Sequence, residues 1–210
     1  MELELARMTV FRAEMFGGSL AEIMQLQQYR YPHRRLPWVQ IALSEEVLRL
    51  QGTNTEGIFR VPAATEKVQS VRQQLEQWHL GDISDAHVAA AALKLWYREL
   101  MNPLIPDALY EPAIAAHDNP TAALDIIRHL PSINKLVLAY LIRFLQHFAQ
   151  AEIVSATRMD SANLAMVFAP NCLRCPSKDP EVIYKNTRKE IAFLRMLIHH
   201  LDTAYMEGVF

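Results

Sequence analysis

Glycine is scarce in this chain, six residues in 210. No strand-length alternation of apolar and polar residues recurs at even spacing, so nothing points to a sheet. The two cysteines, Cys172 and Cys175, are too few for a disulfide framework. They point to a reducing, cytoplasmic setting. Charge is not in excess either. The formal net charge of -2 argues against a nucleic-acid footprint, which would need a basic balance. No apolar run reaches transmembrane length, and the acidic start of the chain, with Glu2 and Glu4, does not read as a signal peptide. There is no G-x-x-x-x-G-K-[ST] loop, no G-x-G-x-x-G turn and no H-E-x-x-H. Cys172-Leu-Arg-Cys175 is a lone C-x-x-C, and a structural zinc needs four ligands. The expectation is a chain with no cofactor of its own. Any catalytic power must come from completing the active site of another protein.

What is present favours helix. Ala, Leu, Gln, Glu, Arg and Met dominate. Ser19 reads as the cap of a short helix through Leu20, Ile23, Met24 and Leu26. Trp38 to Leu50 carries a broad apolar stripe, with Gly52 as its stop. Thr65 to Trp78 repeats Val68, Val71, Leu75 and Trp78 at spacings of three and four. Asp85 caps a helix running to Leu100. Asn119-Pro120 and Asp179-Pro180 each place a capping side chain before proline at the first helical position. Ile133 to Phe148 is the most apolar stretch, Asp160 caps a helix ending at Pro170, and a last helix spans about Glu181 to Leu201. The pattern predicts a compact all-α domain of about eight or nine helices, over residues 16–210, with residues 1–15 as a lead-in arm. Trp78, Trp96, Phe144, Phe148, Met166 and Phe168 fall at helical spacing and read as core.

Three segments carry a resemblance. They are Glu56-Gly-Ile-Phe-Arg60, the run Leu93-Lys-Leu-Trp-Tyr-Arg-Glu-Leu-Met-Asn-Pro-Leu-Ile105, and Asn163-Leu-Ala-Met-Val-Phe-Ala-Pro-Asn171. In order and spacing they resemble the RhoGAP domain family, and Phe16-Gly17 with Leu20 is similar to that family's opening. Finer wording at Leu36-Pro-Trp-Val, Leu95-Trp-Tyr-Arg-Glu and Asn186-Thr-Arg-Lys-Glu is similar to the C-terminal domain of the Vilse/CrossGAP group, a likeness under which residues 1–15 would be the trailing edge of a preceding domain. The resemblance implies an activator of Rho-family small GTPases, with Rac- or Cdc-like substrates favoured; a monomer is the default expectation, set by nothing in the sequence. GTP and Mg would be held by the partner GTPase. Position by position, it implies that Arg60 is the catalytic arginine and that Lys94 and Arg98 are the basic pair behind its loop. Asn171 is then the asparagine meeting the partner, and Asn163 a more structural one. Gly57 and Pro170 belong to the same motifs. The other reading of the fold is a GTPase-binding or scaffold module with little or no acceleration.

The residue chemistry is compatible with these roles. An arginine supplied in trans must be projected by a loop that is itself anchored. Gly57 allows unusual backbone angles, Ile58 and Phe59 can bury beneath the loop, and Pro62 stiffens its exit. Lys94 and Arg98, four apart, share a helix face. One is expected to meet the partner and the other, Arg98, to brace structure, unless the pair is only solvated or bridged to Glu99 or Asp107. Asn163 is expected to hold neighbouring loop backbone. Asn171, just past a helix end, is expected to stay exposed. One departure stands out: the family commonly has glycine where this chain has Ala63, and alanine would be strained there if positive φ were required.

Overall fold

The computed structural model describes residues 14–206, and most of its helices follow from a readable local cause. Ten α-helices occur among the described residues: α1 (Leu20–Gln27), α2 (Trp38–Arg49), α3 (Thr65–Glu76), α4 (Ala86–Glu99), α5 (Tyr110–Ala115), α6 (Pro120–Arg128), α7 (Ser132–Phe148), α8 (Ala151–Thr157), α9 (Ser161–Cys172) and α10 (Pro180–His200). No strand occurs among those residues. Ser19 and Glu22 form a full capping box at α1. Asp85, Asn119, Asp160 and Asp179 each accept a backbone N–H at the start of α4, α6, α9 and α10. The two helices without a sequence signal, α5 and α8, span six and seven residues. That is too short for an apolar face to repeat.

Helix α4 is the hub, packing against α2, α3 and α9. Its alanines, Ala89, Ala90 and Ala92, are fully enclosed and allow close approach of neighbours, while Leu93, Trp96 and Tyr97 fill the volume between them. Gln40 ties three helices together: its Nε2 donates to the Tyr97 hydroxyl at 2.7 Å and to the Val137 carbonyl at 2.9 Å. The Tyr110 hydroxyl donates to Glu190 at 2.5 Å, fastening α5 to α10.

Two boundaries differ from the sequence expectation. Residues 1–13 of the expected arm lie outside the described residues, but Met15 is core, with its N–H and that of Phe16 each donating at 2.9 Å to the Glu76 carboxylate. The indole of Trp96 donates to the Met15 carbonyl at 2.9 Å. The stop after α2 is not made by Gly52. The left-handed residue is Gln51, at φ 60°, and Gly52 is needed for a close approach instead. A Cβ at 52 would lie 2.6 Å from Val47 Cγ1 and 2.7 Å from its carbonyl oxygen.

Candidate functional site

The segment joining α2 to α3 carries the motif around Arg60, and its shape is fixed from the backbone outward. The Gly57 N–H donates to the Thr157 carbonyl at the end of α8, 2.7 Å away. Gly57 itself sits at φ +68°, and a Cβ there would come within 2.7 Å of Val61 Cγ2. Ile58 and Phe59 then turn inward and are fully buried. The Phe59 ring packs edge-on among Phe144, Phe148 and Phe168, at centroid distances of 5.9, 5.0 and 5.1 Å.

Phe59 adopts φ +69°, a left-handed backbone that a bulky residue enters at a cost of about 1–2 kcal/mol. Burial of its ring offsets that cost, at roughly 1.5–3 kcal/mol for a side chain of this size. A second restraint comes from α4: Lys94 Nζ donates to the Phe59 carbonyl at 2.5 Å. Burial, and then the charge of neighbouring Arg98, hold the Lys94 ammonium below the ordinary lysine range. The left-handed step reverses the chain, and the N–H groups of Arg60 and Val61 both close onto the Gly57 carbonyl at 2.9 Å. Arg60 emerges into solvent, and its guanidinium makes no hydrogen bond or ion pair among the described residues. Two residues on, Pro62 lines an open cleft of 460 Å³ together with Ala63, Lys94, Arg98, Met166 and Asn171 among others, while Arg60 itself is not part of that lining.

The expected site residues thus fall around one loop and one cleft, with some differences in detail. Arg98 lines the cleft but braces nothing: it is exposed and without a side-chain partner among the described residues, and its neighbour Glu99 pairs with Arg72 at 3.0 Å. The bracing contact belongs to Lys94. Asn171 is not exposed beyond a helix end. Helix α9 runs through Pro170 to Cys172, and Asn171 is 6% exposed, its Nδ2 donating to the Val167 carbonyl at 2.8 Å. Proline is tolerated there because it removes only one bond in the last turn of the helix. Pro170 is exposed at the cleft edge. Met166, read as core, is 55% exposed and lines the cleft. Trp78, also read as core, is only partly buried.

Asn163 holds backbone, as its position suggested: Nδ2 donates to the Arg158 carbonyl at 3.2 Å. Arg158 is itself left-handed, at φ 58°. This turn directly follows Thr157, whose carbonyl carries Gly57. Asn163 therefore holds the turn next to the carbonyl that anchors Gly57. Ala63 lies outside the left-handed region, so the missing glycine imposes no strain. Sequence reading missed Thr157 altogether, because a backbone carbonyl acting at long range leaves no residue signature.

Three comparisons bear on this arrangement. The RhoGAP domain family model matches residues 37–177, about two thirds of the chain. GTPase activating protein homolog 2 of Dictyostelium discoideum is 40% identical over 188 residues, covering 89% of this chain and 21% of that protein. Human Rho GTPase-activating protein 24 is 29% identical over 188 residues, covering 84% of this chain and 25% of its own length. The chain therefore spans about a fifth to a quarter of these relatives. The crystal structure of human Rho GTPase activating protein 15 superimposes with a TM-score of 0.79, at 21% identity and 95% coverage of both chains. The loop, its α4 brace and the α9 segment all lie within the matched residues, and the chain belongs to the RhoGAP domain family.

Proposed function

We propose that this domain accelerates GTP hydrolysis by a Rho-family small GTPase, with Arg60 entering the partner's active site as an arginine finger. The observation that carries the reading is the Phe59 backbone. A buried, left-handed residue pinned by Lys94 and by the aromatic ring cluster holds the loop rigid and leaves the next side chain free. An arginine finger needs that division. The guanidinium stabilises charge developing on the phosphoryl oxygens as water displaces GDP, and it returns unchanged, contributing about 10³–10⁵ in kcat. It stays charged at any working pH and offers a planar fork of donors. Lys94 fixes where the finger starts. Arg98, Met166, Pro170 and Asn171 line the cleft that would receive the partner's surface. The domain needs no cofactor, since GTP and Mg travel with the partner.

Rac- or Cdc-like partners are favoured over Rho-like ones, a preference that rests on the sequence resemblance. The test is single-turnover GTP hydrolysis by Rac-, Cdc- and Rho-type GTPases with the wild-type domain and with Arg60→Ala. The expected result is fast hydrolysis with at least one of the three that falls by about 10²-fold or more in the variant. Acceleration of none by the wild-type domain would overturn the reading and leave a binding module.

A further inference from the structure

Helix α3 begins in the cleft and ends at a second surface of a different kind. It spans 12 residues, or about 18 Å at 1.5 Å per residue. At its far end Trp78 joins Trp38 and Tyr31 in an aromatic cluster, with centroids 5.6 Å apart for Trp38–Trp78 and 6.0 Å for each of the two Tyr31 pairs. Two guanidiniums lie on this cluster: Arg30 over Trp78 at 5.5 Å and Arg34 over Tyr31 at 4.8 Å. Trp78 is left-handed, at φ 60°, so local strain is retained to keep its ring in place.

We propose that this end of the molecule docks on an anionic phospholipid surface. The charge balance is one-sided. Arg30, His33, Arg34 and Arg35 stand in a segment with no acidic residue between Glu22 and Glu45. All four are exposed, and none makes an ion pair among the described residues. Two carboxylates of flanking elements have other partners: Glu22 accepts from Ser19, and Glu76 from the N–H groups of Met15 and Phe16. A guanidinium held over a ring makes no hydrogen bond to it and keeps N–H donors for phosphate oxygens. Beside these arginines Tyr29 is 91% exposed, a placement that suits an aromatic at a membrane–water boundary. Every residue of 28–35 except Tyr31 is exposed. The segment is an exposed turn with no sheet edge, and beside it lies an open depression of 370 Å³ lined by Gln28, Tyr31, Pro32 and Arg34 among others. The exposed basic and aromatic side chains of 28–35 suit a flat anionic surface. The inference is independent of the GTPase reading, since the two surfaces share no residue.

The test is co-sedimentation of the domain with phosphatidylcholine vesicles, with and without phosphatidylserine. Wild type is expected to bind only the anionic vesicles and to release at high salt. The triple variant R30Q/R34Q/R35Q is expected to lose about 10²-fold in partitioning. Arg35→Gln, at an exposed side chain with no partner, should lose a few-fold without altering the thermal melt, and so guards against misfolding of the triple variant. Tyr29→Ala is expected to weaken binding a few-fold on neutral grounds alone. Equal binding to both vesicle types, or variants that partition like wild type, would overturn the proposal. So would selective binding of a phosphorylated or acidic peptide with no vesicle binding, which would reassign the surface to a protein ligand.

Discussion

The two ends of α3 both display arginine, and they do so in opposite ways. At the cleft the backbone is immobilised and the side chain is free. Gly57, Phe59 and the Lys94 brace fix the chain, while the Arg60 guanidinium lies exposed over Gly57 without a hydrogen bond or ion pair among the described residues. At the far end the guanidiniums themselves are held, Arg30 and Arg34 against aromatic rings, on an exposed turn. An arginine that must enter another protein's active site keeps its own rotamers available and starts from a defined point. An arginine that only offers charge gains by being held over a ring in advance, because less side-chain entropy is then lost on contact.

The comparison can be broken in order of expected effect. Arg60→Lys keeps the charge and loses the planar fork, and single-turnover hydrolysis should drop by about 10²-fold, close to the alanine variant. A lysine there that retained most of the rate would reduce the role of Arg60 to simple charge. Lys94→Ala leaves the Phe59 carbonyl without its partner, at a cost of about 1–3 kcal/mol, so kcat should fall roughly tenfold or more. Combined with Arg60→Ala it should add little further loss, because the brace acts through the arginine. Arg34→Lys sharpens the contrast from the other side: partitioning onto anionic vesicles should change by less than about threefold, charge being what matters there. The smallest effect is expected at Ala63. Since its backbone is not left-handed, Ala63→Gly should lower stability by about 0.5–1 kcal/mol in a thermal melt and leave hydrolysis unchanged. A faster Ala63→Gly variant would mean that the loop needs freedom the alanine denies it.

Much of this was legible in the sequence wherever the cause is local. The Ser19–Glu22 box, the Asp85 and Asp160 caps and the Val68–Val71–Leu75 stripe each announce a helix from neighbouring residues, and each helix is found. The three motifs around Arg60, Lys94 and Asn171 do fall around one loop and cleft. What was not legible depends on tertiary context. No propensity places a phenylalanine or a tryptophan at positive φ; only the packing around Phe59 and Trp78 makes that worthwhile. Pro170 looked like a helix end and is not, so Asn171 moved from surface to near-burial. Met166 sits at core spacing, yet its side chain lies at an open cleft. The aromatic cluster was invisible because Tyr31, Trp38 and Trp78 come from three separate segments.

The hydrogen bond between Gly57 and Thr157 has a consequence for how the domain comes into being. The loop that bears Arg60 is synthesised before the carbonyl that pegs it, which lies 100 residues later, and two of the three rings around Phe59 belong to α7 and the third to α9. Contacts this distant in sequence form late, after loop-closure entropy has been overcome. A nascent chain therefore carries its arginine long before that arginine is aimed, and the domain becomes competent only when its C-terminal half has closed over the first.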